Sequence, residues 1–168
     1  MPLSVEYAGT PLRLGTQLEP GAVLARPPTM SLAGAPSGAR FVLALIAPDV
    51  PSPKTPTERS RLLWLLFDAT AAAAPRHELD LGAARILVPY SPPNPLMGNQ
   101  RFVFCALRQA GGAPPPPLDA PPRTNFSLVD FAARNKLIVS GVNFFCAHAK
   151  ESWGSGGGGA AKKRRRKD

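Results

Sequence analysis

The chain has 168 residues, 44% of them hydrophobic, enough for one domain with a sizeable core. Twenty-one prolines and 15 glycines point to many short strands separated by loops and argue against a helical bundle. The formal charge of +9 is uneven: KKRRRKD at 162–168 carries six bases and one acid, which leaves the body only mildly basic at +4.

Residues 3–7 (LSVEY) alternate apolar and polar side chains and predict a half-buried strand. Glu6 and Glu19 stand against a lone Arg13 in the first 25 residues, a poor mitochondrial presequence. The runs 41–46 (FVLALI), 62–67 (LLWLLF), 85–88 (RILV), 102–107 (FVFCAL) and 138–146 (IVSGVNFFC) predict strands buried on both faces. Residues 69–74, mostly alanine, predict a turn or two of helix ended by Pro75. A second helix is expected from Ser127, an N-cap serine with Asp130 three residues on, through Phe131, Ala132, Ala133 and Leu137. Residues 113–122 (APPPPLDAPP) read as an extended polyproline-like spacer or a docking segment for a proline-reading domain. The folded domain is expected over 1–153, with 154–168 a glycine-rich linker and basic tail. No run approaches the roughly 20 apolar residues of a membrane-spanning helix, so stable membrane insertion is not expected.

Cys105 and Cys146 each lie in an apolar run and are expected to be free thiols in the reducing cytosol or nucleus. His77 is expected to be solvated in a polar loop, and His148 to be a polar residue at a strand end. Neither belongs to a metal-ligand spacing or a nucleophile–base pair, so no catalytic residue, metal or cofactor is expected. Asp49, between prolines just past a buried run, could orient a ligand or cap a turn through backbone N–H groups.

Several blocks then coincide. VEYAG near the start, RPPTMSLAG at 26–34, FVLALIAPDVPSPKTPTERSRLLWLLFD at 41–68, SPPNPLMGNQRFVFCALRQ at 91–109 and NFSLVDFAARNKLIVSGVNFFCAHAKE at 125–151 resemble, in order and spacing, the phosphatidylethanolamine-binding protein (PEBP) family. That family includes the Raf kinase inhibitor protein and the plant flowering regulators, and the later blocks look most like the plant branch. The resemblance implies a mainly β fold: a central antiparallel sheet, a second smaller sheet and short peripheral helices. It also implies a small anion pocket at one end, built from an Asp-Pro-Asp-x-Pro loop, a strand histidine and the histidine of a Gly-x-His-Arg loop.

By position, Asp49, Pro51, Pro93, Gly98 and Arg101 keep the pattern of that pocket, and Trp64 sits beside it. Ala47 replaces the first aspartate, Leu63 the strand histidine and Gln100 the loop histidine. A phosphoryl group needs several convergent donors, and two imidazoles supply them where leucine and a neutral amide do not. Weak or absent headgroup affinity follows, with Arg101 expected in a structural ion pair with Asp49. The more apolar pocket leaves an uncharged ligand open.

Two functions are therefore expected from the resemblance. The first is a non-catalytic regulatory or scaffold protein binding partner proteins. The second is a structural component of a ribonucleoprotein such as the mitochondrial large ribosomal subunit. The tail, Lys162, Lys163, Arg164, Arg165, Arg166 and Lys167, suits nuclear import, contact with nucleic-acid phosphates or simple solvation.

Overall fold

The computed structural model describes residues 1–109 and 119–149. Its centre is β5 (Arg40–Ala47), buried along nearly its whole length because both faces and both edges are covered. Beside it run β6 (Arg61–Ala71) and β9 (Asn99–Gln109), both antiparallel to it, and β10 (Leu137–His148) pairs with the far edge of β9. Short strands complete this large sheet: β3 (Thr16–Leu18) lies parallel to the end of β10, while β7 (Leu79–Asp80) and β8 (Arg85–Val88) pair with β6. A small antiparallel sheet holds β1 (Leu3–Tyr7), β2 (Thr10–Pro11) and β4 (Thr29–Leu32). The expected two-sheet, mainly β fold is therefore present.

Each face of the large sheet has its own core. The small sheet covers one, where Leu3, Val5, Met30 and Leu32 pack on Leu43, Leu45, Phe104 and Phe145. The helix α1 (Leu128–Arg134) covers the other, placing Phe131 and Ala132 over Val42, Phe67, Cys105 and Leu107. Ser127 caps α1 as expected, its Oγ accepting from the Asp130 amide at 3.2 Å. Close approach of the two sheets requires Gly141: a Cβ there would lie 2.5 Å from Leu32 Cδ1 and 3.0 Å from Leu3 Cβ. The register of β10 against β9 shifts at this point, between Val139 and Gly141.

Several expectations need correction. Residues 69–71 continue β6 instead of forming a helix, because Ala69 and Thr70 pair with Phe41 and Arg40 and override alanine's helical preference. Leu137 begins β10 and not the end of α1, since Asn135 closes the helix and Lys136 turns at φ +53°. Arg85 and Ile86 are exposed while Leu87 and Val88 are covered, and β10 alternates between covered and open positions, so neither run is buried on both faces. His77 is half-buried and not solvated, with Nδ1 3.2 Å from the Ala35 carbonyl oxygen. His148 ends β10 in the open, and both cysteines are free, Cys105 buried and Cys146 half-buried. Most of the proline-rich 113–122 segment and the whole basic tail lie outside the described residues.

Candidate functional site

The apolar run of β5 ends at Ala47, and Pro48 turns the chain so that Asp49 points beneath the start of β9. Asp49 is only 2% exposed and accepts three bonds from one residue. The Arg101 amide and Nε reach Oδ2 at 3.0 and 2.8 Å, and Arg101 Nη2 reaches Oδ1 at 2.7 Å. Those Arg101 hydrogen bonds hold the Asp49 carboxyl below the usual carboxylate range, against the opposing effect of burial. Asp49 is thus one half of the expected ion pair; the carboxylate clamps two loops together in place of capping its own turn.

Gln100 is fully buried next to this pair. Its Nε2 donates to the carbonyl oxygens of Pro51 and Met97, tying the 48–53 loop to the 91–98 loop. Oε1 is buried without a partner. The turn into β9 needs Gly98 at φ +67°, and Ala149 N donates to the Gly98 carbonyl at 2.9 Å.

The floor comes from β6. Leu63 and Trp64 are 6% and 4% exposed and share one apolar cluster with Ala47, Val50 and Phe102. The Trp64 ring meets Tyr90 edge-on at 5.5 Å. Tyr90 donates its hydroxyl hydrogen to the Leu24 carbonyl at 2.8 Å and stands 2.9 Å from the Tyr7 hydroxyl, which must then be the donor of that pair. Burial pushes the Tyr90 phenol up to about 12, and raises that of Tyr7 further still. From outside, Arg123 donates to the carbonyls of Leu62 and Leu63 at 3.2 Å and of Pro89 at 2.8 Å. Pro93 is buried in the loop that follows Ser91, whose amide is bonded to the Leu63 carbonyl at 2.8 Å.

Hydrogen bonds therefore join Asp49, Pro51, Gln100 and Arg101 into one unit, and Leu63 and Trp64 pack in the adjoining core. Tyr7, Tyr90 and Arg123 brace the same region; Tyr7 lies in the VEYAG block without a pocket role there, and Tyr90 and Arg123 are lone residues beside prolines that no motif marks. Chemically the unit is closed. Both amide hydrogens of Gln100 go to backbone carbonyls, the inward-facing guanidinium nitrogens go to Asp49, and Leu63 has no polar atom. Among the described residues no cluster of His, Cys, Asp and Glu could hold a metal ion, and no helix is long and apolar enough to cross a membrane.

These features define a two-sheet β scaffold with an ion-paired loop site at the end of its central strands. No family model matches the chain. Its sequence is 30% identical over 123 residues to CEN-like protein 1 of Nicotiana tabacum, covering 73% of this chain and 66% of the relative. It is 31% identical over 109 residues to Protein FLOWERING LOCUS T of Arabidopsis thaliana, covering 65% and 58%. The chain thus spans about three fifths to two thirds of the length of these curated relatives. Its fold matches a carboxypeptidase Y inhibitor, solved with its cognate proteinase, at a TM-score of 0.77 and 21% identity over 88% of this chain and 83% of that one. A phosphatidylethanolamine-binding protein from Plasmodium vivax matches at a TM-score of 0.65 and 19% identity over 88% and 85%. The chain belongs to the phosphatidylethanolamine-binding protein family.

Proposed function

We propose that this chain is a non-catalytic regulatory or scaffold protein that works by binding partner proteins, its headgroup pocket having lost its grip on phosphoryl groups. The observation that carries the reading is Gln100: its amide hydrogens bind Pro51 and Met97, so none is left to face an anion. Leu63 adds only apolar surface. A charge-assisted hydrogen bond contributes roughly 1.5–3 kcal/mol, so the loss of two weakens binding by about a hundredfold or more. Partner binding is supported by the same scaffold being found with a cognate proteinase in the carboxypeptidase Y inhibitor complex.

In this reading residues 1–153 form the working domain and 154–168 a linker with a nuclear-import segment at Lys162–Lys167. The protein then acts in the cytosol, the nucleus or both. Calorimetric titration with phosphate and with phosphoethanolamine tests the pocket: no heat of binding at micromolar ligand is expected, and low-micromolar binding overturns the reading. Co-purification of a tagged full chain tests the rest. Discrete protein partners are expected, whereas ribosomal RNA with ribosomal proteins would assign the chain to a ribonucleoprotein.

A further inference from the structure

The helix-bearing face of the large sheet is not covered evenly. Cross-strand neighbours share a face, so Val139, Val142 and Phe144 of β10 lie on the same side as Cys105 and Val103 of β9. The helix covers Cys105 and Leu107, but of β10 only Leu137 packs against this core. Val139 is 54% exposed, Val142 is 44% exposed, and Phe144 and Val103 are half-buried. Beyond β10, Gly15 lies against the Phe144 ring (a Cβ there would be 3.6 Å from it), and the neighbouring Leu14 is 69% exposed. An apolar strip thus runs between α1 and the 13–15 turn.

Bases outnumber acids around it, Asp130 in the first turn of α1 being the acid on the bordering helix. The segments 91–118 and 131–150 contain no aspartate or glutamate, while the end of α1 and the start of β10 carry Arg134 and Lys136. Arg13 stands at the opposite border. Among the described residues none of these three bases forms an ion pair. A second copy would oppose cation to cation, and so would the chain's own KKRRRK segment. The open side chains of the strip, Val139, Val142 and Leu14, are aliphatic and give nucleic-acid bases nothing to stack on.

We propose that this strip is the docking site for an acidic amphipathic helix of a partner protein. Two strand spacings make the strip about 10 Å wide, one helix diameter, so the guest helix would lie beside α1 on the same sheet. Its apolar stripe would cover Val139, Val142 and Phe144, and its carboxylates would face Arg13, Arg134 and Lys136. The proposal rests on the partner-binding reading above and gives that partner a chemistry.

The test uses the full chain and a fluorescent peptide of about 18 residues, five helical turns, made of Leu, Ala and Glu in amphipathic order. Saturable anisotropy is expected with this peptide. Binding should fall at least about tenfold when Lys replaces Glu in the peptide, and again when the residue order is scrambled. Val142→Glu, at an open position, should lose about tenfold while keeping the wild-type thermal midpoint. Should that variant fail to fold, Lys136→Glu provides the same comparison on an exposed side chain. No saturable binding, equal binding of the Glu and Lys peptides, or binding unchanged by either variant overturns the proposal. So does concentration-dependent self-association that Val142→Glu abolishes, because a second copy then occupies the strip. Tight phosphoethanolamine binding would sink the earlier pocket reading and leave this one standing; loss of peptide binding alone would do the reverse.

Discussion

Arg101 and Asp49, 52 residues apart in sequence, form a two-pronged ion pair in which the carboxylate is buried and the guanidinium is half-exposed. That asymmetry fixes the outcome of breaking the pair. Arg101→Ala strands a buried carboxylate and is expected to cost about 2–3 kcal/mol, below the figure for a fully buried pair because solvent reaches the arginine. Asp49→Ala leaves a guanidinium that rehydrates and should cost less. Chemical denaturation of the two variants gives the order; equal or reversed costs count against the assignment.

The same pair predicts an acid response. The Asp49 carboxyl is lowered in the folded chain, so its stabilisation is fully present above the ordinary value of 3.8 and is lost as pH falls through the lowered folded value. The stability difference between wild type and Asp49→Asn should therefore be constant at neutral pH and shrink below about pH 4. A difference that grows in acid would contradict the arrangement.

If the headgroup site was lost through its donors, returning them should restore it. The double variant Leu63→His, Gln100→His is expected to gain about tenfold or more in phosphate affinity for each imidazole that engages. Calorimetry at a pH near 6, where imidazole carries partial charge, is the appropriate reading. A folded double variant with no gain would show that the pocket is closed by its backbone and not by these side chains.

Gly141→Ala should be among the most damaging single methyl additions in this chain. The new Cβ meets Leu32 at 2.5 Å and Leu3 at 3.0 Å, between two packed sheets that cannot separate cheaply. Overpacking of this kind costs about 1–3 kcal/mol. Gly21→Ala is the control, since nothing lies within 4 Å of a Cβ there, and its thermal midpoint should stay near wild type.

Tyr90→Phe removes the hydroxyl shared by Tyr7 and the Leu24 carbonyl, and leaves both without that partner in a poorly hydrated place. A loss of about 1–3 kcal/mol is expected. Tyr7→Phe leaves the bond from Tyr90 to Leu24 intact and should cost less; the two melting curves decide it.

The legible parts of this fold were those with strong local signals. The apolar runs at 41–46, 62–67 and 102–107 needed no partner to be read as strands, and Ser127 with Asp130 marked the start of α1. What was not legible depends on distant pairing. Residues 69–71 look helical until Arg40 and Phe41 are laid beside them, and β3, only three residues long, exists because residues 145–147 of β10 lie next to it. In the site, Asp49, Gln100 and Arg101 stood out through their motif. Arg123 and Tyr90 act through backbone carbonyls, which no residue pattern records.

The parallel pairing of β3 with β10 has a kinetic meaning. Thr16 pairs with Phe145 across most of the chain, a long-range closure whose loop entropy makes it slow to form. This outer margin of the large sheet, held by a three-residue strand, is expected to open before the sheet's centre. Amide protons of residues 16–18 should exchange with solvent far sooner than those of β5, so a partner that seals this margin would announce itself by slowing them.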